Sequence, residues 1–173
     1  MGIFDKIKSL VKPVPKQEVI QPIVFIDKSK EPSKPMEYIT KADILMGRDK
    51  EYPLTKDIEA NLELLWKALN KLGEIYNKAT GKNLPGTSSG YRPGKYNVAA
   101  GGAKASSHLV CKAWDAKDGD GEFDKWCTAN QKALEDCGLW QEHPDDTKGW
   151  CHLDIATRSA RPKGTVAYRT FKP

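Results

Sequence analysis

No run of the sequence approaches the ~18 consecutive apolar residues of a membrane-spanning helix, so no span is expected. The amino terminus, MGIFDKIKSLVKP, lacks the apolar stretch and small-residue cleavage site of a secretory signal. Lys6 stands where a myristoylation pattern requires Ser or Thr. The expectation is a protein made in a cytoplasm and not exported by the usual signal. Cysteine is scarce: Cys111, Cys127, Cys137 and Cys151 are the only four, and no C-x-x-C pair exists, which argues against a structural four-cysteine zinc site. Without an export signal all four are expected to be reduced, small buried residues. Arginine-rich runs and aromatic-interleaved basic motifs are missing too, so nothing points to nucleic acid. The net charge of +5 is mild; solvated lysines account for it, although such a surface also suits anionic partners. No internal repeat is present.

What is there fits one folded domain. A chain of 173 residues, 39% hydrophobic and 29% charged, is long enough to bury a core. Residues 1–36 differ from the rest. Ile3, Phe4, Ile7, Leu10 and Val11 fall at roughly helical spacing, then five prolines lie between Pro13 and Pro35. This reads as an arm or linker, held by a partner or packed on its own domain. The compact domain is expected over residues 37–173. Its strongest signal is a helix over Thr55–Lys78, where Ile58, Leu62, Leu65, Leu69, Leu72 and Tyr76 recur at spacings of three and four before Gly81. A second helix is predicted over Glu122–Asp136, with Phe123, Trp126, Ala133 and Leu134 inward and Gly138 as its stop. GWCHLDIA, residues 149–156, alternates as a strand should: Cys151, Leu153 and Ile155 on the core face, Trp150, His152 and Asp154 on a polar one.

The stretch SSHLVCKAWD, residues 106–115, holds one of only three histidines and an aspartate seven residues on. As one strand it would separate His108 and Asp115 by about 23 Å. As one helix it would separate them by roughly 10 Å. For the two to act together the chain must bend, with the histidine on a turn and the aspartate on a strand. With His152 they make two imidazoles and a carboxylate. Zinc accepts that set, and three protein ligands leave a fourth position for water.

The residues around these three carry a resemblance. SGYRP (89–93), GGAKASSH (101–108), the S-x-H-x(4)-A-x-D frame from Ser106 to Asp115, and GWCHLD (149–154) occur in that order. The region from Ile39 to Ile155 resembles the zinc D-alanyl-D-alanine carboxypeptidase and L-alanyl-D-glutamate endopeptidase family, whose fold is shared with the hedgehog signalling domain and whose members include many bacteriophage cell-wall lysins. The resemblance implies zinc on His108, Asp115 and His152, a substrate-positioning arginine at Arg92, and a substrate-side serine at Ser106. With the helix and strand patterns it implies an α+β domain: a small, mainly antiparallel sheet carrying GWCHLDIA, with flanking helices.

The sequence also departs from the family. Cys111 stands where glycine is usual. The acid or base that many members carry two or three residues before the last histidine is replaced by Trp150 and Gly149, neither of which moves a proton. Relatives of phage type point to Glu142, in GLWQEHPDDTKGWCHLD, with Asp145, Asp146, His143 and Asp154 as competitors. Arg92 can fork two hydrogen bonds to a substrate carboxylate. Ser106 is suited to capping the turn or to binding substrate, and Trp150 to walling the pocket or packing.

The implied function is a zinc peptidase cleaving peptidoglycan stem peptides, a phage endolysin or virion-associated lysin. It would be made in a bacterial host cytoplasm, act at the cell wall, and meet other virion proteins through residues 1–36. The alternative is a non-catalytic virion structural or assembly protein that keeps the peptidase fold. A carboxylate-pair glycosidase has only scattered Asp and Glu behind it.

Overall fold

The long helix α2, Lys56–Thr80, organises the domain in the computed structural model, which describes residues 36–158 and 168–172. The expected arm therefore lies outside the described residues, except for Met36. Thr55 caps α2 by accepting from Ile58 N, Asp57 and Glu59 sit in the first turn, and Gly81 ends it at φ 73°. The predicted stripe is the buried face: Leu62, Leu65, Leu69, Leu72 and Tyr76 are all in the core, with Ile58 half-buried at its start. Leu69 is fully enclosed, so Leu69→Ala should destabilise the domain by about 2–5 kcal/mol, read from chemical denaturation midpoints. A loss under about 1 kcal/mol would place Leu69 outside the core.

Five strands form one sheet in the order β1-β2-β4-β3-β5. They are β1 Thr87–Ser89, β2 Ala113–Asp118, β3 Trp140–Glu142, β4 Gly149–Asp154 and β5 Thr170–Phe171. All neighbours are antiparallel except β3 and β5, so the fold is α+β with a mainly antiparallel sheet, as expected. Strand alternation sends Trp114, Ala116, Cys151 and Leu153 into the core with α2 and Phe123. Asp115 and His152 project from the other face, and the two are directly paired across β2 and β4.

Two expectations need correction. The helix predicted over Glu122–Asp136 is two helices, α4 Glu122–Ala129 and α5 Gln131–Cys137. Asn130 breaks it at φ −115°, ψ 47°, where its Nδ2 donates to Trp126 O (2.8 Å), a side-chain bond that competes with helix continuation. Strand β4 stops at Asp154, because Ala156 N turns back to Asp154 Oδ1 (3.2 Å). The polar face is itself covered: Asp115, His152 and Asp154 all lie below a tenth exposed.

The short helix α1, Lys41–Leu45, closes the far side of β1. A Cβ on Gly90 would stand 1.9 Å from Ile44 O, so only glycine lets β1 lead out against α1. That approach fixes the Gly90 carbonyl, which the site uses. Helix α3 covers Lys95–Ala99 and introduces the glycine-rich loop.

Candidate metal centre

The bend that SSHLVCKAWD requires is a single 3-10 turn, Ser107–Val110. Ser106 caps it, its Oγ accepting from His108 N (3.3 Å). Cys111 then takes the left-handed conformation (φ 57°) and swings the chain into β2. A left-handed position favours glycine, which gives a physical reason for glycine being usual there. His108 is thereby placed on a turn and Asp115 on a strand, with the histidine ring wholly buried.

Three atoms converge. His108 Nε2 lies 3.2 Å from Asp115 Oδ1 and 3.2 Å from His152 Nδ1, and the last two are 2.7 Å apart. Their protonation is constrained from behind. His108 Nδ1 donates to Gly90 O (2.7 Å), which leaves Nε2 as a bare lone pair. One proton on His152 can bridge to Asp115, but His108 Nε2 then still faces a carboxylate oxygen with no donor between them. A cation resolves this. A tetrahedral ion with bonds of ~2.0–2.1 Å sets its ligands about 3.3 Å apart, close to the spacing observed. Among the described residues, His108, Asp115 and His152 are the one group with this metal-holding geometry. The residues fit zinc.

The metal-free electrostatics agree. Burial lowers the pKa of His108 despite Asp115 beside it. Burial opposes charge on Asp115 as well, but the two histidines beside it hold its carboxyl well below the usual range. On His152 burial is again outweighed, here by Asp115 and Asp154, which raise it to about 9. A folded pKa above the ordinary 6.5 means stability fully present below about pH 6.5 and lost as pH climbs through about 9. With chelator present, melting temperature should therefore fall between pH 6.5 and 9. A flat profile would remove His152 as the proton holder.

The site forms the floor of a cavity of about 410 Å³. Arg92 lines it; its Nη1 lies 3.4 Å from Asp115 Oδ2, and its buried Nε has no hydrogen-bond partner among the described residues. Ser106, the exposed Trp150 and the small residues Ala100, Gly101, Gly102, Ala103 and Ala105 also line it. Glu142, at the end of β3, brings Oε2 to 3.9 Å from His152 Nδ1. Burial raises its pKa, partly offset by His152. Of its competitors, Asp145 and Asp146 are exposed, and His143 accepts from Asp145 N (3.3 Å) outside the cavity. Asp154 reaches the cavity but is wholly buried and ion-paired to Arg158.

Arg158 and Phe171 also line the cavity, and the sequence carried no periodic signal for either. A larger cavity of about 610 Å³ lies beside α4, but nothing converges there, since Asp118 spends its carboxylate on Phe123 N and Asp124 N. The four cysteines are free, and burial pushes Cys111 up to about 12 and Cys137 up to about 11, so neither is a nucleophile.

An α+β domain with a buried His/Asp/His cluster lining a cleft makes a candidate metal site. The family model for peptidase M15 matches residues 44–154, more than half of the chain, and the chain belongs to that family of zinc metallopeptidases. No curated protein and no solved structure matches it significantly. None of the described helices is long and apolar enough to cross a membrane.

Proposed function

We propose that the chain is a zinc-dependent peptidase acting on peptidoglycan stem peptides, in a phage endolysin or virion-associated lysin. The observation that carries this is the convergence of three lone pairs, within one ion's reach, on the floor of a cleft in a peptidase M15 chain. His108, Asp115 and His152 would hold the metal. When bound there, zinc lowers the pKa of water toward neutrality and polarises a peptide carbonyl. Glu142, half-buried and with its pKa raised by that burial, would take a proton from water and return it to the leaving amine. Arg92, with one nitrogen unpartnered, is suited to fork onto a substrate carboxylate. Trp150 and the small residues of the glycine-rich loop line the cavity that would receive the peptide.

The test is digestion of purified cell wall with the native protein, the chelated protein, and the chelated protein after zinc return. Free amino groups should appear in the first and third, and about one zinc per chain should be measured in both. Zinc binding without any cleavage would support the structural virion reading, and reducing sugar in place of amino groups a glycosidase.

A further inference from the structure

We infer that Arg158 and Phe171, which lie beyond the family match, are positioning residues that hold His152 with Nδ1 turned to the metal. This rests on the metal reading above. An imidazole that binds through Nδ1 carries its proton on Nε2 and needs an acceptor there to fix tautomer and ring angle. The group facing His152 Nε2 is Asp154 Oδ2, at an ion-pair distance of 3.6 Å, just outside hydrogen-bond length. Asp154 is wholly buried, and a lone carboxylate there would be costly and free to turn. It is held by donors on both oxygens. Arg158 forks across it, Nη1 to Oδ1 and Nη2 to Oδ2 (2.8 Å), while Ser107 Oγ donates to Oδ2 (3.3 Å).

Arg158 is held in turn. Its guanidinium carbon stands 3.5 Å from the Phe171 ring centre. The same Phe171 ring meets the His152 ring edge-on, centres 6.0 Å apart at 77°. One aromatic ring therefore braces both the imidazole and the cation that orients the imidazole's acceptor. Phe171 comes from β5, which pairs with β3, the strand of Glu142. The family match ends at Asp154, a few residues before Arg158. The carboxy-terminal segment thus completes a centre whose ligands all lie inside the match.

The sign of the effect separates positioning from charge alone. A cation near a metal site repels the metal, so its removal on electrostatic grounds tightens binding. Loss of an outer support weakens binding, typically 10–100-fold. Full-length wild type, Arg158→Ala, Arg158→Gln and Phe171→Leu are titrated with zinc against a competing chelator, and each is melted metal-free. We expect Arg158→Ala to bind zinc at least about tenfold more weakly. Arg158→Gln and Phe171→Leu, which keep one donor or most of the volume, should fall between it and wild type. The His152 Nε2 proton should exchange faster in the zinc-loaded variants by NMR. Should Arg158→Ala fold poorly, the two milder variants carry the same test. Wild-type or tighter affinity in the folded variants, with unchanged proton exchange, overturns the proposal. A wild-type protein that binds no zinc removes the metal reading itself, and the proposal with it.

Discussion

Glu142→Gln should keep its zinc and cleave cell wall at least about a hundredfold more slowly than wild type, the low end for losing a general base. The substitution preserves shape and removes only the ability to take a proton. Glu142 is 3.9 Å from His152 Nδ1 and outside the three-ligand cluster, so metal content should not change. Burial favours its neutral form, which moves its pKa in the direction a base working near neutrality needs. Gly149 and Trp150 offer no substitute, and Asp154 is committed to Arg158. Initial rates of amine release, normalised to bound zinc, decide the point. Equal rates would take Glu142 out of the mechanism and leave Asp145, Asp146 or His143 to be reached by loop movement.

His152→Ala should have the larger effect, losing both metal and activity. Two donors, His108 Nε2 and Asp115 Oδ1, would remain, and a two-ligand site does not retain zinc against dialysis with chelator. The truncation also deprives Asp115 of its closest partner, the imidazole at 2.7 Å, and leaves a buried carboxylate with one hydrogen bond fewer. Metal analysis after dialysis should find close to none, against about one per chain in wild type. Stoichiometric zinc in the variant would mean that the metal sits elsewhere. Paired with Glu142→Gln, the experiment separates holding the metal from using it.

The sequence made some of this legible and hid the rest for definite reasons. The α2 stripe was readable because burial against a sheet imposes a 3.6-residue period, and the burial of Leu62, Leu65 and Leu69 follows it. A bend between His108 and Asp115 was required only if the two act together, and a capped 3-10 turn closing on left-handed Cys111 provides it. The break at Asn130 was hidden, since the apolar spacing runs through it and only a side-chain bond to Trp126 interrupts the helix. The burial of the His152 face was hidden as well. Alternation tells which residues share a face but not what covers it. Arg158 and Phe171 escaped for the same reason: an isolated arginine after a strand and a lone aromatic near the end carry no period, and only the sheet brings them to His152.

Asp115 and His152 face each other as direct partners in an antiparallel ladder. A slip of β4 by one residue would present Cys151 or Leu153 to the cavity and bury the imidazole among α2 leucines. A bound ion would therefore tell correct from shifted pairing, because only the native register assembles the three donors. Since a ligand bound by one state stabilises it by RT ln(1 + [L]/Kd), zinc would act as a selector of register during folding, well before any substrate arrives. Refolding without metal should leave a larger share of misaligned, aggregation-prone chains than refolding with it, and the difference should vanish for His152→Ala.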